Sequence, residues 1–188
     1  MRRGFKTEAE RAATKARAVL KLSPLSPINP WDYAAHFGVQ VLDIEKLKLG
    51  DLARKQLLAT DSRSWSAMTI KCPGKVGIVL NQAHARTRQT NDLMHELSHI
   101  ELDHVPNKVE VSKSGLLLVS NYSDDQEQEA DWYAAALLLP RDALTAARRR
   151  NKSAEEIATE FGVSQALCEW RLRMTAVDIQ LARGRAWR

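Results

Sequence analysis

Cysteine is nearly absent from this chain of 188 residues: Cys72 and Cys168 are its only two, far apart and outside any C-x-x-C spacing. That excludes a disulfide framework and a thiolate-built metal site, and it fits a reducing cytoplasm. Long apolar runs are missing as well, since nothing approaches the roughly eighteen consecutive apolar residues of a membrane span. The basic opening, MRRGFKTEAERAATKARAVL, has no apolar block behind it, as a secretory signal requires, and Glu8 and Glu10 interrupt what would otherwise resemble an acid-poor transit peptide. A solvated amphipathic helix is the expectation there, with no membrane partner. Internal repeats and low-complexity segments are absent too.

What is present suits a folded globular protein: 44% hydrophobic and 27% charged residues leave little room for extensive disorder. The length predicts one domain over residues 1–175 and a short basic tail over 176–188. A net charge of +5 and a pI near 9.4 ease the approach of acidic partners, nucleic acid included. The excess lies in two runs, Arg148 to Arg150 and Arg183, Arg185 and Arg188 around Trp187, and such runs are ordinarily solvated faces.

Read for periodicity, the chain predicts an α+β fold, mostly helical, with a small sheet. Residues 7–21 form a helix rich in Ala, Lys and Arg, halted by LSPLSPINP. Asn29 caps the next helix with Pro30 at its first position, and Gly38 ends it before the strand VQVLDI. SAMTIKC and VGIVL, divided by Pro73 and Gly74, read as two strands joined by a turn, and VEV and LLLV as further strands. Helices follow at about 88–104, at DDQEQEADWYAAALLLP up to Pro140, and at RDALTAARRR. SAEEIATEF then opens with Ser153 and Glu156 in capping-box spacing.

The informative stretch is NDLMHELSHIELDH, residues 91–104. Residues four apart on a helix differ by about 40° around the axis and about 6 Å along it, so His95 and His99 share a face and reach one Zn²⁺ together. Glu96, about 100° round from His95, is poorly placed as a ligand but well placed to take a proton from a water on the metal. About one shuffled chain in a hundred would hold H-E-x-x-H by chance. The motif alone therefore leaves open an amphipathic helix that packs Leu93, Leu97 and Ile100 inward.

A hydrolytic zinc site needs three protein ligands and an open position for water. Glu127 and Asp131, four apart in DDQEQEADWYAAALLLP, offer a third ligand and a carboxylate to orient His95 or His99 through its other ring nitrogen. The same face continues through Ala130, Ala134 and Leu138, small enough for close helix approach, which favours Glu127 over Glu129. Glu129 lies about 200° away, so the two cannot both face the metal.

MHELSH followed by E-x-E-A-D-x-Y-A-A-x-L-L-x-P resembles the ImmA/IrrE family of metallo-endopeptidases. NPWDYAAHFGVQV and VGIVLN are similar to the family's first helix and strand and to the strand before its catalytic helix. The resemblance covers most of residues 10–175. It implies a zincin-like fold with the sheet beside the histidine helix, His95, His99 and Glu127 as zinc ligands, and Glu96 as catalytic acid/base. The spacing to Asp131 is also similar to thermolysin-like proteases. Ser98, Ile100 and Leu139 stand where many relatives have Gly, an aromatic and Met, and none of the three is a ligand. The resemblance further implies a helix-turn-helix transcriptional repressor as protein substrate.

Several alternatives stay open at this level. EEIATEFGVSQALCEWRLR, with Ala158, Gly162 and Ser164, has the layout of a helix-turn-helix over 153–175, and with Arg171, Arg173 and the basic tail it would sit on DNA phosphates. Trp170 and Leu172 instead suit packing. A non-cleaving antitoxin or adaptor on the same fold is a third possibility. For the oxyanion, His104, His84, Tyr122 and Tyr133 are all candidate donors, although His104 also reads as a helix-end cap and His36 as another helix-end residue. GIVL is expected as an edge strand to which substrate could add, or as an ordinary core strand.

Overall fold

The computed structural model describes residues 1–44, 55, 65–72, 74–111, 117–120 and 122–186. These fall into two compact units, residues 29–131 with Met1, and residues 2–28 with 132–188. Among the described residues no helix is long and apolar enough to cross a membrane.

In the first unit the local signals act as the sequence predicts. Asn29 Oδ1 accepts the backbone N–H of Trp31 at 3.0 Å, and Pro30 opens helix α2, Pro30–His36. (Helix α1, Phe5–Val19, precedes it and belongs to the second unit.) Gly38, at φ 68°, adopts the left-handed conformation that ends α2, and the chain continues as strand β1, Gln40–Asp43. Strands β2, Ala67–Cys72, and β3, Lys75–Leu80, pair antiparallel from Cys72↔Lys75 to Ala67↔Leu80, with Gly74 at φ 73° in the tight connection. Helix α3, Arg86–Glu101, carries the histidines and packs on β2 and β3. Strands β4, Lys108–Val111, and β5, Leu117–Ser120, complete a five-stranded sheet of order β1-β3-β2-β5-β4, in which β1 and β3 run parallel.

This order corrects the reading of GIVL as an edge. Gly77–Leu80 lies in β3, which is bonded to β1 on one side and β2 on the other, and Ile78, Val79 and Leu80 are buried. A strand whose ladder is filled on both sides has no free backbone groups to offer a substrate.

Helix α4, Asp124–Leu138, starts in the first unit, and from Trp132 onward it belongs to the second. The second unit also holds α1, α5 (Arg141–Arg149), α6 (Ala154–Phe161), α7 (Gln165–Thr175) and α8 (Val177–Ala186). Val177–Ala186 falls within the stretch expected as a basic tail; Trp187 and Arg188 lie outside the described residues. The capping box forms as its spacing predicts, with Ser153 Oγ accepting from Glu156 N–H at 3.1 Å and Glu156 Oε2 from Ser153 N–H at 2.7 Å. Gly162, at φ 65°, ends α6 before Ser164 caps α7, so α6 and α7 do form a helix-turn-helix.

Its expected phosphate contact is nonetheless used internally. Arg171 is fully buried, donates from Nε to Leu139 O at 3.1 Å and from Nη2 to Glu10 Oε1, and is closed to solvent. Leu172 is buried, and the Trp170 ring meets Trp132 edge-on at 5.4 Å, as side chains built for packing do.

Candidate metal centre

Helical periodicity puts His95 and His99 one turn apart on α3, and the first turn of α4 brings Glu127 to them. His95 Nε2 lies 3.0 Å from His99 Nε2 and 3.2 Å from Glu127 Oε2, and His99 Nε2 lies 3.6 Å from that same oxygen. A tetrahedral ion with ligand bonds of about 2.0–2.1 Å sets its donor atoms about 3.3 Å apart, close to these three separations. Two imidazoles and a carboxylate are also the donor set that suits zinc, so His95, His99 and Glu127 form a group that could hold a metal ion.

Further polar groups stand behind the triad. Asp131 Oδ1 stands 2.9 Å from His95 Nδ1, as the four-residue spacing from Glu127 suggested. Burial by itself would lower the pKa of His95; the hydrogen bond and charge of Asp131, reinforced by Glu96 and Glu127, raise it above the ordinary imidazole value. His99 is only 1% exposed, and burial together with His95 and His104 pulls its pKa down to about 3, leaving the ring neutral and able to donate a lone pair.

Glu96 points elsewhere, toward the sheet. Thr69 on β2 donates its hydroxyl hydrogen to Glu96 Oε2. Burial raises the carboxyl pKa above the usual range; Thr69 and His95 oppose the rise, and Glu127 and Asp92 add to it. A carboxylate whose proton affinity is brought closer to neutrality is suited to moving a proton. Beside it runs an open cleft of about 290 Å³ lined by Ser66, Ala67, Asn91, Asp92, His95, Glu96 and Asp131.

Of the four candidate oxyanion donors, Tyr122 lies against the triad, its ring stacked on His99 with centroids 3.7 Å apart and planes 17° off parallel. Burial, with the charges of Glu96 and Glu127, pushes its hydroxyl up to about 12. His104 Nδ1 reaches His99 Nδ1 at 2.9 Å. His84 instead faces Asp92 at 3.7 Å, and Tyr133 packs on Phe5 in the second unit. His36 sits at the end of α2 with its ring against Phe37.

Two of these contacts were not readable from the sequence. Thr69 depends on strand register across the sheet. His104, five residues after His99, would lie off the ligand face were α3 to continue, but α3 stops at Glu101. Asp103 takes the left-handed conformation at φ 50°, and the paired bonds His104 N–H to His99 O (3.0 Å) and Asp103 N–H to Ile100 O (3.2 Å) close a Schellman turn. That turn folds His104 back onto His99. Asp in place of the usual Gly at the left-handed position disguises it.

The sequence matches the family model described as the IrrE N-terminal-like domain over residues 35–173, and no curated protein matches it.

Proposed function

The chain belongs to the ImmA/IrrE family of metallopeptidases, and from that premise we propose that it is a zinc-dependent endopeptidase with His95, His99 and Glu127 as ligands and Glu96 as general base. The observation that carries this reading is the meeting of three donor atoms at 3.0–3.6 Å with a buried carboxylate one residue along from the first ligand. When bound, Zn²⁺ would supply Lewis acidity at the scissile carbonyl and lower the pKa of a water from 15.7 to about 7.

The remaining work falls to the chain itself. Asp131 fixes the His95 ring by its bond to Nδ1. Glu96, held at Oε2 by Thr69, has Oε1 left to take the proton of the attacking water. As the oxygen bonds to the carbonyl carbon and the C–N bond breaks, Glu96 passes that proton to the departing nitrogen. The open cleft beside Glu96 gives a peptide access to that carboxylate.

The substrate we propose is a helix-turn-helix transcriptional repressor in the cytoplasm, whose cleavage would relieve repression of stress or mobile-element genes; family membership supports this. Direct DNA binding is the weaker reading, because Arg171 is committed to Glu10 and Arg148 to Asp178, at 2.9 and 3.0 Å.

The test is metal analysis of the purified chain, joined to incubation with the helix-turn-helix protein encoded beside it. One Zn²⁺ per chain, and fragments that disappear on chelation, are the expected result. Cleavage that persists after complete removal of metal would refute the reading.

A further inference from the structure

The two histidines of the triad are supported differently. His95 has a carboxylate directly on its outer nitrogen, whereas the outer nitrogen of His99 meets another imidazole, His104, at 2.9 Å. On the far side of that imidazole, His104 Nε2 lies 3.6 Å from Glu129 Oε2, an electrostatic contact longer than a formed hydrogen bond. All three residues are withdrawn from solvent, His99 to 1% exposure and His104 and Glu129 to 9% each. A carboxylate at that depth favours an N–H directed at it, in a medium that weakly screens the interaction.

The consequence follows from counting protons on a neutral imidazole, which has one N–H and one lone pair. With its hydrogen on Nε2 facing Glu129, His104 presents a lone pair at Nδ1. The nitrogen 2.9 Å away, His99 Nδ1, must then be the donor. That leaves His99 Nε2 with its lone pair directed at His95 Nε2 and Glu127 Oε2, as a metal ligand requires. The opposite tautomer of His104 would place a hydrogen on His99 Nε2 and close that coordination position.

We propose that Glu129 and His104 form a relay that holds His99 in its Nδ1–H tautomer, so that both are positioning residues for a ligand they do not themselves contribute. The proposal rests on the metal-centre reading above and deepens it. It also gives separate tasks to three acids on one helix. Glu127 faces the donor atoms, Asp131 one turn later takes His95, and Glu129, about 200° from Glu127, reaches the histidine returned by the Schellman turn. Tyr122, stacked flat on His99, restricts rotation of the ring so that the tautomer is the variable left to fix.

Two measurements on the full chain test this. In the metal-free protein labelled with ¹⁵N-histidine, long-range ¹H–¹⁵N correlations should report His99 as Nδ1–H and His104 as Nε2–H, and Glu129→Ala should turn His99 into a tautomer mixture. Zn²⁺ affinity by competition with a chromophoric chelator should fall about 10- to 100-fold in His104→Ala, the usual effect of removing a group that orients a ligand. His104→Asn, whose Oδ1 occupies nearly the place of Nδ1 and can accept from His99, should recover most of that loss.

His99 found as Nε2–H in the wild-type protein would overturn the relay, as would Zn²⁺ affinity within twofold of wild type in His104→Ala. If His104→Ala does not fold, the wild-type tautomer and the Asn variant still decide. A wild-type chain that binds no Zn²⁺ would instead sink the metal-centre reading, while the tautomer measurement would still judge the relay.

Discussion

Thr69 on β2 donates its hydroxyl hydrogen to Oε2 of Glu96 on α3, joining the sheet to the carboxylate that faces the cleft. Thr69 is 1% exposed, so Thr69→Val keeps the shape of the side chain while removing the only hydrogen it can donate. With Glu96 freer to rotate, peptide cleavage should fall by about tenfold or more, in the range seen for supporting residues around metal sites, with zinc content unchanged. Parallel assays of rate and bound metal check this; loss of both together would point to a folding defect.

Glu96→Gln separates the base from the ligands. The amide keeps an oxygen to accept from Thr69 but cannot carry the water's proton to the leaving nitrogen. Zinc binding should persist while the rate drops by roughly 10²- to 10⁴-fold. Unchanged cleavage by this variant would remove Glu96 from the mechanism.

The candidate site was legible where it is local and obscure where it is not. His95 and His99, and Glu127 and Asp131, are pairs at four-residue spacing on single helices, and helical geometry alone puts each pair on one face. Nothing local links Thr69 to Glu96, because their meeting depends on how β2 lies against α3. His104 is hidden by a backbone conformation that Asp103 seldom advertises, and Glu129, about 200° from Glu127, has no local partner in the sequence to mark it. The choice between edge and core for GIVL also had a local clue. VGIVL is almost continuously apolar rather than alternating, the mark of a strand covered on both faces, and its burial rises from an exposed Lys75 to four buried residues. Charge alone does not tell surface from core either, since Arg171 sits in a basic segment of a helix-turn-helix and yet is part of a core.

That core position makes Glu10 a sensitive site. Its Oε1 accepts from Arg171 Nη2, its Oε2 accepts the backbone N–H of Arg141 at 2.9 Å, and Arg171 has no exposure to water. Burial lowers the Arg171 pKa, and Glu10 counters it. Glu10→Ala would leave a buried guanidinium without its counter-charge, and breaking such a pair costs about 3 kcal/mol or more. Urea unfolding should show the loss, and Glu10→Gln, which retains an acceptor, should recover part of it. An effect under about 0.5 kcal/mol would show the pair to be no more than an exposed salt bridge.

Cys168 gives a pH-dependent test of the same unit. Its side chain is fully buried, and burial pushes the thiol up to about 11 from an ordinary value of 9.0; Arg148 opposes the rise, and Glu169 and Asp178 add to it. The unfolded chain therefore loses this proton first as pH rises. The preference for the folded state is complete below pH 9 and is lost as pH climbs through about 11, so the unit should weaken over that alkaline window. The raised pKa also leaves little thiolate near neutral pH, and the thiolate is the species that alkylates. Iodoacetamide at about pH 8, followed by mass spectrometry of the peptide bearing Cys168, should give negligible modification of the folded protein and ready modification in urea. Rapid labelling of the folded chain would place Cys168 at the surface and contradict the packing of α7.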